Sequence, residues 1–113
     1  MLFRSDYIRR LDDKIVIKLL GISIGEEVVA LKKEDIFCGV GDKTFTKTEV
    51  SKVDDDTFVL PKTQYQEFTV TCENDEPVVN DEAPFLLFEN IYVASETSNE
   101  VLDSNIKIKI KSQ

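Results

Sequence analysis

Isoleucine and lysine alternate without interruption from Ile106 to Lys111. Strict alternation of apolar and polar residues marks a β-strand with one face on a core and the other in water. The same period of two recurs from Glu67 to Cys72, and from Thr44 to Val50 with Phe45 on one face and threonines on the other. Lys14 to Leu20 is a β-branched run with polar residues at its edges, again a strand pattern. Gly21 to Gly25 reads as a loose turn that returns Glu26 to Leu31 against that run. Ile36 to Val40 and Thr57 to Leu60 complete the middle of the chain, the latter stopped by Pro61. Phe85 to Phe88 and Ile91 to Ser95 flank Glu89-Asn90 with the spacing of a tight hairpin. Glycine numbers 4 and proline 3, so the turns fall to Asp, Asn, Ser and Thr, as at Asp54-Asp55-Asp56. Only Ser5 to Leu11 has room for a helix, capped by Ser5 or Asp6. No connection carries a helix long enough for a parallel βαβ crossover. The expectation is an all-β single domain over residues 1–113, a small β-barrel or sandwich of about seven to nine short, mainly antiparallel strands with at most one short N-terminal helix.

Composition removes several function classes. The net charge is −8, against nucleic-acid binding or adhesion to a membrane surface, both of which use cationic faces. Histidine is absent, and with it the usual general base and zinc ligand. The longest apolar runs, Val28 to Leu31 and Phe85 to Phe88, fall far short of the ~20 residues of a membrane span. Met1 to Asp6 lacks a signal-peptide core. The two cysteines, Cys38 and Cys72, are expected as reduced, mostly buried thiols of a chain made in the cytosol. Counting from Asp54, an EF-hand needs glycine sixth and glutamate twelfth, where Val59 and Tyr65 stand. Gly39-Val40-Gly41-Asp42-Lys43-Thr44 puts Asp42 where a phosphate loop needs Gly-Lys, and reads as a hairpin turn. Phe37, Phe45, Phe58, Phe68, Phe85, Phe88 and Tyr92 sit at strand spacing and are assigned to the core. No catalytic residue, metal or cofactor is expected.

The charge is segregated. Residues 1–53 hold 10 bases and 9 acids, residues 54–106 one base, Lys62, and 13 acids, and the last seven residues three lysines. The acids concentrate at Asp54, Asp55 and Asp56 and again at Glu73, Asp75, Glu76, Asp81 and Glu82. Such a surface can keep a protein in solution, can line a channel from which DNA must be repelled, or can imitate DNA phosphates in a basic cleft. These eight acids are therefore the candidate channel or partner contacts. Ile106, Lys107, Ile108, Lys109 and Ile110 form a candidate strand edge between subunits.

The order of elements resembles the head-closure (stopper) or head-tail connector proteins of tailed bacteriophages. The residues that carry the likeness are Ile15-Val16-Ile17, Gly25-Glu26-Glu27 and Phe58-Val59-Leu60-Pro61. They are followed, after an acidic loop, by Phe85-Leu86-Leu87-Phe88-Glu89-Asn90-Ile91-Tyr92-Val93 and the closing Ile106 to Ile110 strand. The resemblance implies a non-enzymatic virion protein, made in the host cytoplasm and lodged in the neck. It would form a ring with copies of itself, between portal or adaptor and tail proteins. DNA would pass without specific binding, and no membrane would be involved. The alternative is a small acidic DNA mimic that inhibits a host nuclease or defence protein.

Overall fold

The computed structural model describes residues 1–94 and 100–111. Among the described residues ten strands follow one another, interrupted by a single 3-10 turn at Lys33–Asp35. They are β1 Leu2–Leu11, β2 Lys14–Ile22, β3 Val29–Lys32, β4 Ile36–Val40, β5 Lys43–Thr44, β6 Lys47–Ser51, β7 Thr57–Leu60, β8 Gln66–Glu73, β9 Pro84–Val93 and β10 Val101–Lys109. Two antiparallel sheets result, one ordered β1-β2-β8-β6 and the other, of six strands, β5-β4-β9-β3-β7 with β10 also on β9. Strand β9 is the spine of the larger sheet. Phe85 to Tyr92 pair with β10 on one side, while Pro84 to Phe88 pair with β4 and Tyr92-Val93 with β3 on the other.

The alternation seen in the sequence produces the core. Ile15, Ile17 and Leu19 of β2 and Phe68, Val70 and Cys72 of β8 turn inward from one sheet. Leu31, Ile36, Cys38, Val40, Leu60, Leu86, Phe88 and Ile91 meet them from the other. Phe3 stacks on Phe88 across the sheets, with ring centroids 5.0 Å apart, and meets the edge of Phe68 at 6.3 Å. At roughly 25 cal/mol per Å² of apolar surface, burying each such aromatic is worth about 1.5–3 kcal/mol. The chain crosses from the first sheet to the second at Ser23. There the buried hydroxyl donates to the Leu60 carbonyl and accepts from the Val29 N–H, and the Ser23 N–H donates to the Pro61 carbonyl.

Six expectations are corrected. Thr44 to Val50 is not one strand: β5 ends at Thr44 in the larger sheet, the chain leaves it at Phe45-Thr46, and β6 begins at Lys47 in the other. Phe37 and Tyr92 are only half-buried and stand outside the core. Ser5 to Leu11 is not helical but part of β1, because Phe3, Ser5 and Tyr7 alternate inward against β2. Glu89-Asn90 is not a turn: β9 runs straight through it, with Asn90 opposite Ser104. A two-residue hairpin asks for positive φ at its first turn position, and in the type I′ form at both, which glutamate resists. Alternation instead slips there, leaving both Phe88 and Ile91 buried. Val29–Lys32 does not return along β2 but joins the other sheet, beside β7 and β9. Finally, Cys38 and Cys72 are both fully buried, as expected, but are joined as a disulfide and not reduced. The bond ties β4 to β8 and so one sheet to the other. Ser95, expected to end a strand, lies outside the described residues.

Candidate interaction surfaces

The two acidic segments lie at different ends of the sandwich. Asp54, Asp55 and Asp56 form the exposed link from β6 to β7, and the Asp56 carbonyl accepts from the N–H of Lys33 in the 3-10 turn. That turn leads into β4 at Ile36. The other end of β4, at Val40, opens into the Gly41-Asp42 turn, against which Glu82 is packed. Four strand steps separate these ends, or ~13 Å at about 3.3 Å per residue. The second acidic segment begins at Glu73, the last residue of β8, where the Asn74 N–H donates to the Asp13 carbonyl and the Val78 N–H to that of Asp12. Hence Glu73, Asp75, Glu76, Asp81 and Glu82 do share a region, and the structure adds Asp12, Asp13 and Asp42 to it.

Those three acids went unseen in the sequence because block counts average them into a balanced half. A signal exists for two of them: Asp12-Asp13 directly precedes the Lys14 to Leu20 run, where a turn residue is favoured. The region also carries cations. Glu73 forms an ion pair with Lys14 at 3.4 Å, and both groups are largely exposed. The Arg10 guanidinium donates to the backbone carbonyls of Glu82 (2.8 Å) and Asn80, clamping that segment to β1.

A cleft of about 450 Å³ opens beside this clamp, lined by Gly41, Asp42, Glu82, Phe85, Lys107 and Lys109. The Lys107 ammonium lies 4.2 Å from the centre of the Phe85 ring and donates to the Gly41 carbonyl at 3.3 Å. Gly41 in its wall and Gly39 in the adjoining β4–β5 pair both require the absence of a side chain. A Cβ on Gly39 would stand 1.9 Å from the Lys43 carbonyl oxygen, and one on Gly41 2.0 Å from a Glu82 carboxylate oxygen. Gly41 also adopts a φ of +63°, as the Gly41-Asp42 turn requires.

A smaller cleft of about 350 Å³, lined by Lys32, Lys33, Glu34, Asp56 and Thr57, lies at the opposite end. Nearby, Lys32 covers the Tyr92 ring at 4.2 Å. The Tyr92 phenol is held above its ordinary value, first by loss of solvent, then by its hydrogen bond to Asp35 and the charges of Asp35 and Glu34. Its bond with Asn90 acts the other way. Asp35 is buried, with Oδ2 unpartnered.

Among the described residues no three His, Cys, Asp or Glu side chains come together as a metal site. The edge of β10 that no described strand covers is the other feature of note. Ile106 and Ile108 face the core and Lys107 and Lys109 face solvent, while Ile110, just beyond the strand, is fully buried. Among the described residues no helix is long and apolar enough to cross a membrane. Comparison with protein-family models, curated proteins and solved structures returned no match.

Proposed function

We propose that the chain is a structural virion protein of the head-closure type, assembled as a ring between portal or adaptor and tail. The observation that carries this reading is the edge of β10, which pairs with β9 on one side and with no described strand on the other. Such an edge accepts a further strand, and head-to-tail addition of one copy to another edge of the next generates a ring. The candidate acids reside on loops at the two ends, apart from Glu73 at the last position of β8, and there they can face a channel or a neighbouring protein without disturbing the sheets. A particle released from its host also meets oxidising surroundings, which suits the Cys38–Cys72 bond.

The inhibitor reading fits less well. A DNA mimic needs its charges in rows on one face, whereas Asp54 to Asp56 and Glu73 to Glu82 lie at different ends of β4 and β9. The test is mild affinity capture of the tagged protein from its native source, with mass spectrometry of the partners and of purified virions. Portal, adaptor or tail proteins, together with the chain itself in virions, are the expected result. Stoichiometric recovery of one basic enzyme, with the chain absent from virions, overturns the reading.

A further inference from the structure

Strand β10 is nine residues long and has no described strand on its side away from β9, yet its two halves differ in character. The C-terminal half carries Lys107 and Lys109. The N-terminal half carries Asp103 and two large apolar side chains, Val101 and Leu102, each 48% exposed. Between the halves sits Asn105, in the left-handed region with φ of 53°. The ladder with β9 continues on both sides of it, through Ser104 to Asn90 and Ile106 to Phe88.

This arrangement is complementary to itself. An antiparallel copy laid along the open edge about Asn105 sets Asp103 against Lys107, and by the two-fold axis Lys107 against Asp103. In that dimer the exposed Lys107 ammonium exchanges its place over Phe85 and the Gly41 carbonyl for the Asp103 carboxylate, whose Oδ1 in the single chain accepts from the Ser104 N–H. Between Asp103 and Val101 the register with β9 shifts, and the Val101-Leu102 pair comes to the end of the seam, near Ile108 and the Lys109 stem of the copy. Opposite charges directly across an antiparallel pair attract, and like charges repel. β1, the other long edge, lacks the property: pairing about Tyr7 would set Arg4 against Arg10. We propose that the free protein is a two-fold dimer joined through β10, its two six-stranded sheets merged into one of twelve. Covering the edge in this way removes a row of unpaired backbone groups and the exposed Val101-Leu102 pair, both hazards for aggregation. In the connector reading the same edge serves the ring, so the dimer is the form that waits outside the particle. The dimer itself follows from β10 alone and does not require that reading.

Size-exclusion chromatography with light scattering on the full chain is the test. The wild type is expected at twice the 12.9 kDa chain mass. Asp103→Lys and Lys107→Glu, each placing like charges across both pairs, are expected to weaken dimerisation at least about tenfold. An equimolar mixture of those two variants restores both opposite-charge pairs and is expected to give a heterodimer, as is the double exchange D103K/K107E to give a homodimer. Circular dichroism establishes that each variant is folded. Amide exchange in the wild type, slowed at Ile106 to Lys109 on concentration, reads the same edge without any substitution. A wild type that stays at 12.9 kDa at high concentration overturns the dimer, as do single variants that dimerise as well as the wild type or a mixture that stays monomeric. A monomer would leave the connector reading to the virion experiment, and absence from virions would leave the dimer intact.

Discussion

Ser23 stands where the chain leaves one sheet for the other, and its hydroxyl serves Leu60 and Val29 at once. Replacing it with alanine leaves a buried N–H and a buried carbonyl without that partner, which costs about 1–3 kcal/mol in all. Chemical denaturation of Ser23→Ala should show that loss in the midpoint with little change in slope. Nothing in Ile22-Ser23-Ile24 distinguishes this serine from a solvent-facing turn residue, because its partners lie far along the chain. Two tyrosines give a second prediction. Burial raises Tyr7, with the Arg10 charge pulling it back, and desolvation together with Asp35 raises Tyr92. A phenol whose folded value exceeds its unfolded value of 10.0 keeps its proton longer in the native state. Its contribution is therefore complete below pH 10 and is lost as pH rises through the folded value. Unfolding followed from pH 8 to 11.5 should show stability declining above pH ~10, and less steeply in Tyr7→Phe/Tyr92→Phe. An unchanged slope in the double variant would overturn the assignment of the alkaline limb to these two phenols.

Between elements, the Cys38–Cys72 bond is the covalent link from β4 to β8. It closes a loop spanning 34 positions of sequence, for which restriction of the unfolded chain amounts to about 2–4 kcal/mol. Cys38→Ala/Cys72→Ala should lose about that much in a denaturant titration. Because both sulfurs are fully buried, dithiothreitol should cleave the native bond only at denaturant concentrations where the chain opens. Cleavage at the same rate in buffer as in denaturant would show that the β4–β8 contact opens readily. Three alternating runs are legible as strands, whereas Thr44 to Val50 alternates as cleanly and is nevertheless divided between β5 and β6 of different sheets. Lys14 to Leu20, Glu67 to Cys72 and Ile106 to Ile110 all fall in strands or at their ends. Reading failed where a local rule competed with pairing elsewhere. Glu89-Asn90 has the spacing of a turn, but β10 and β4 hold β9 extended on either side. Val29–Lys32 follows β2 so closely that a hairpin is the local choice, yet its partners are Phe58 and Leu60 of β7 and Val93 of β9. The disulfide was hidden for a similar reason. Two cysteines 34 positions apart carry no register, and only the meeting of the sheets sets their Cα atoms 6.0 Å apart.

For the whole molecule, the charge segregation was readable as a count but not as a shape. Counting gave residues 54–106 their 13 acids. It could not reveal that Asp54 to Asp56 sit by the 3-10 turn while the Glu73 to Glu82 segment gathers Asp12, Asp13 and Asp42 at the other end. That separation constrains the proposed ring. A channel can be lined by one of the two acidic ends of each copy, and the other then faces a neighbouring protein. Neutralising the channel end, by Asp54→Asn/Asp55→Asn/Asp56→Asn or by Asp75→Asn/Glu76→Gln, weakens the repulsion between protein and passing phosphates. That repulsion is screened beyond about 8 Å at physiological ionic strength, so only charges at the channel wall matter. One of the two variants should therefore leave the protein complement of purified virions unchanged and slow DNA release, followed by dye fluorescence after triggered ejection. The other should leave release from assembled particles untouched and reduce incorporation of a neck partner, measured by quantitative mass spectrometry. Raising the salt should shrink the difference in release between wild type and the channel-end variant, since screening already removes what the substitution removes. If both variants slowed release, or neither did, the division of the acidic surface between channel and partner would be wrong.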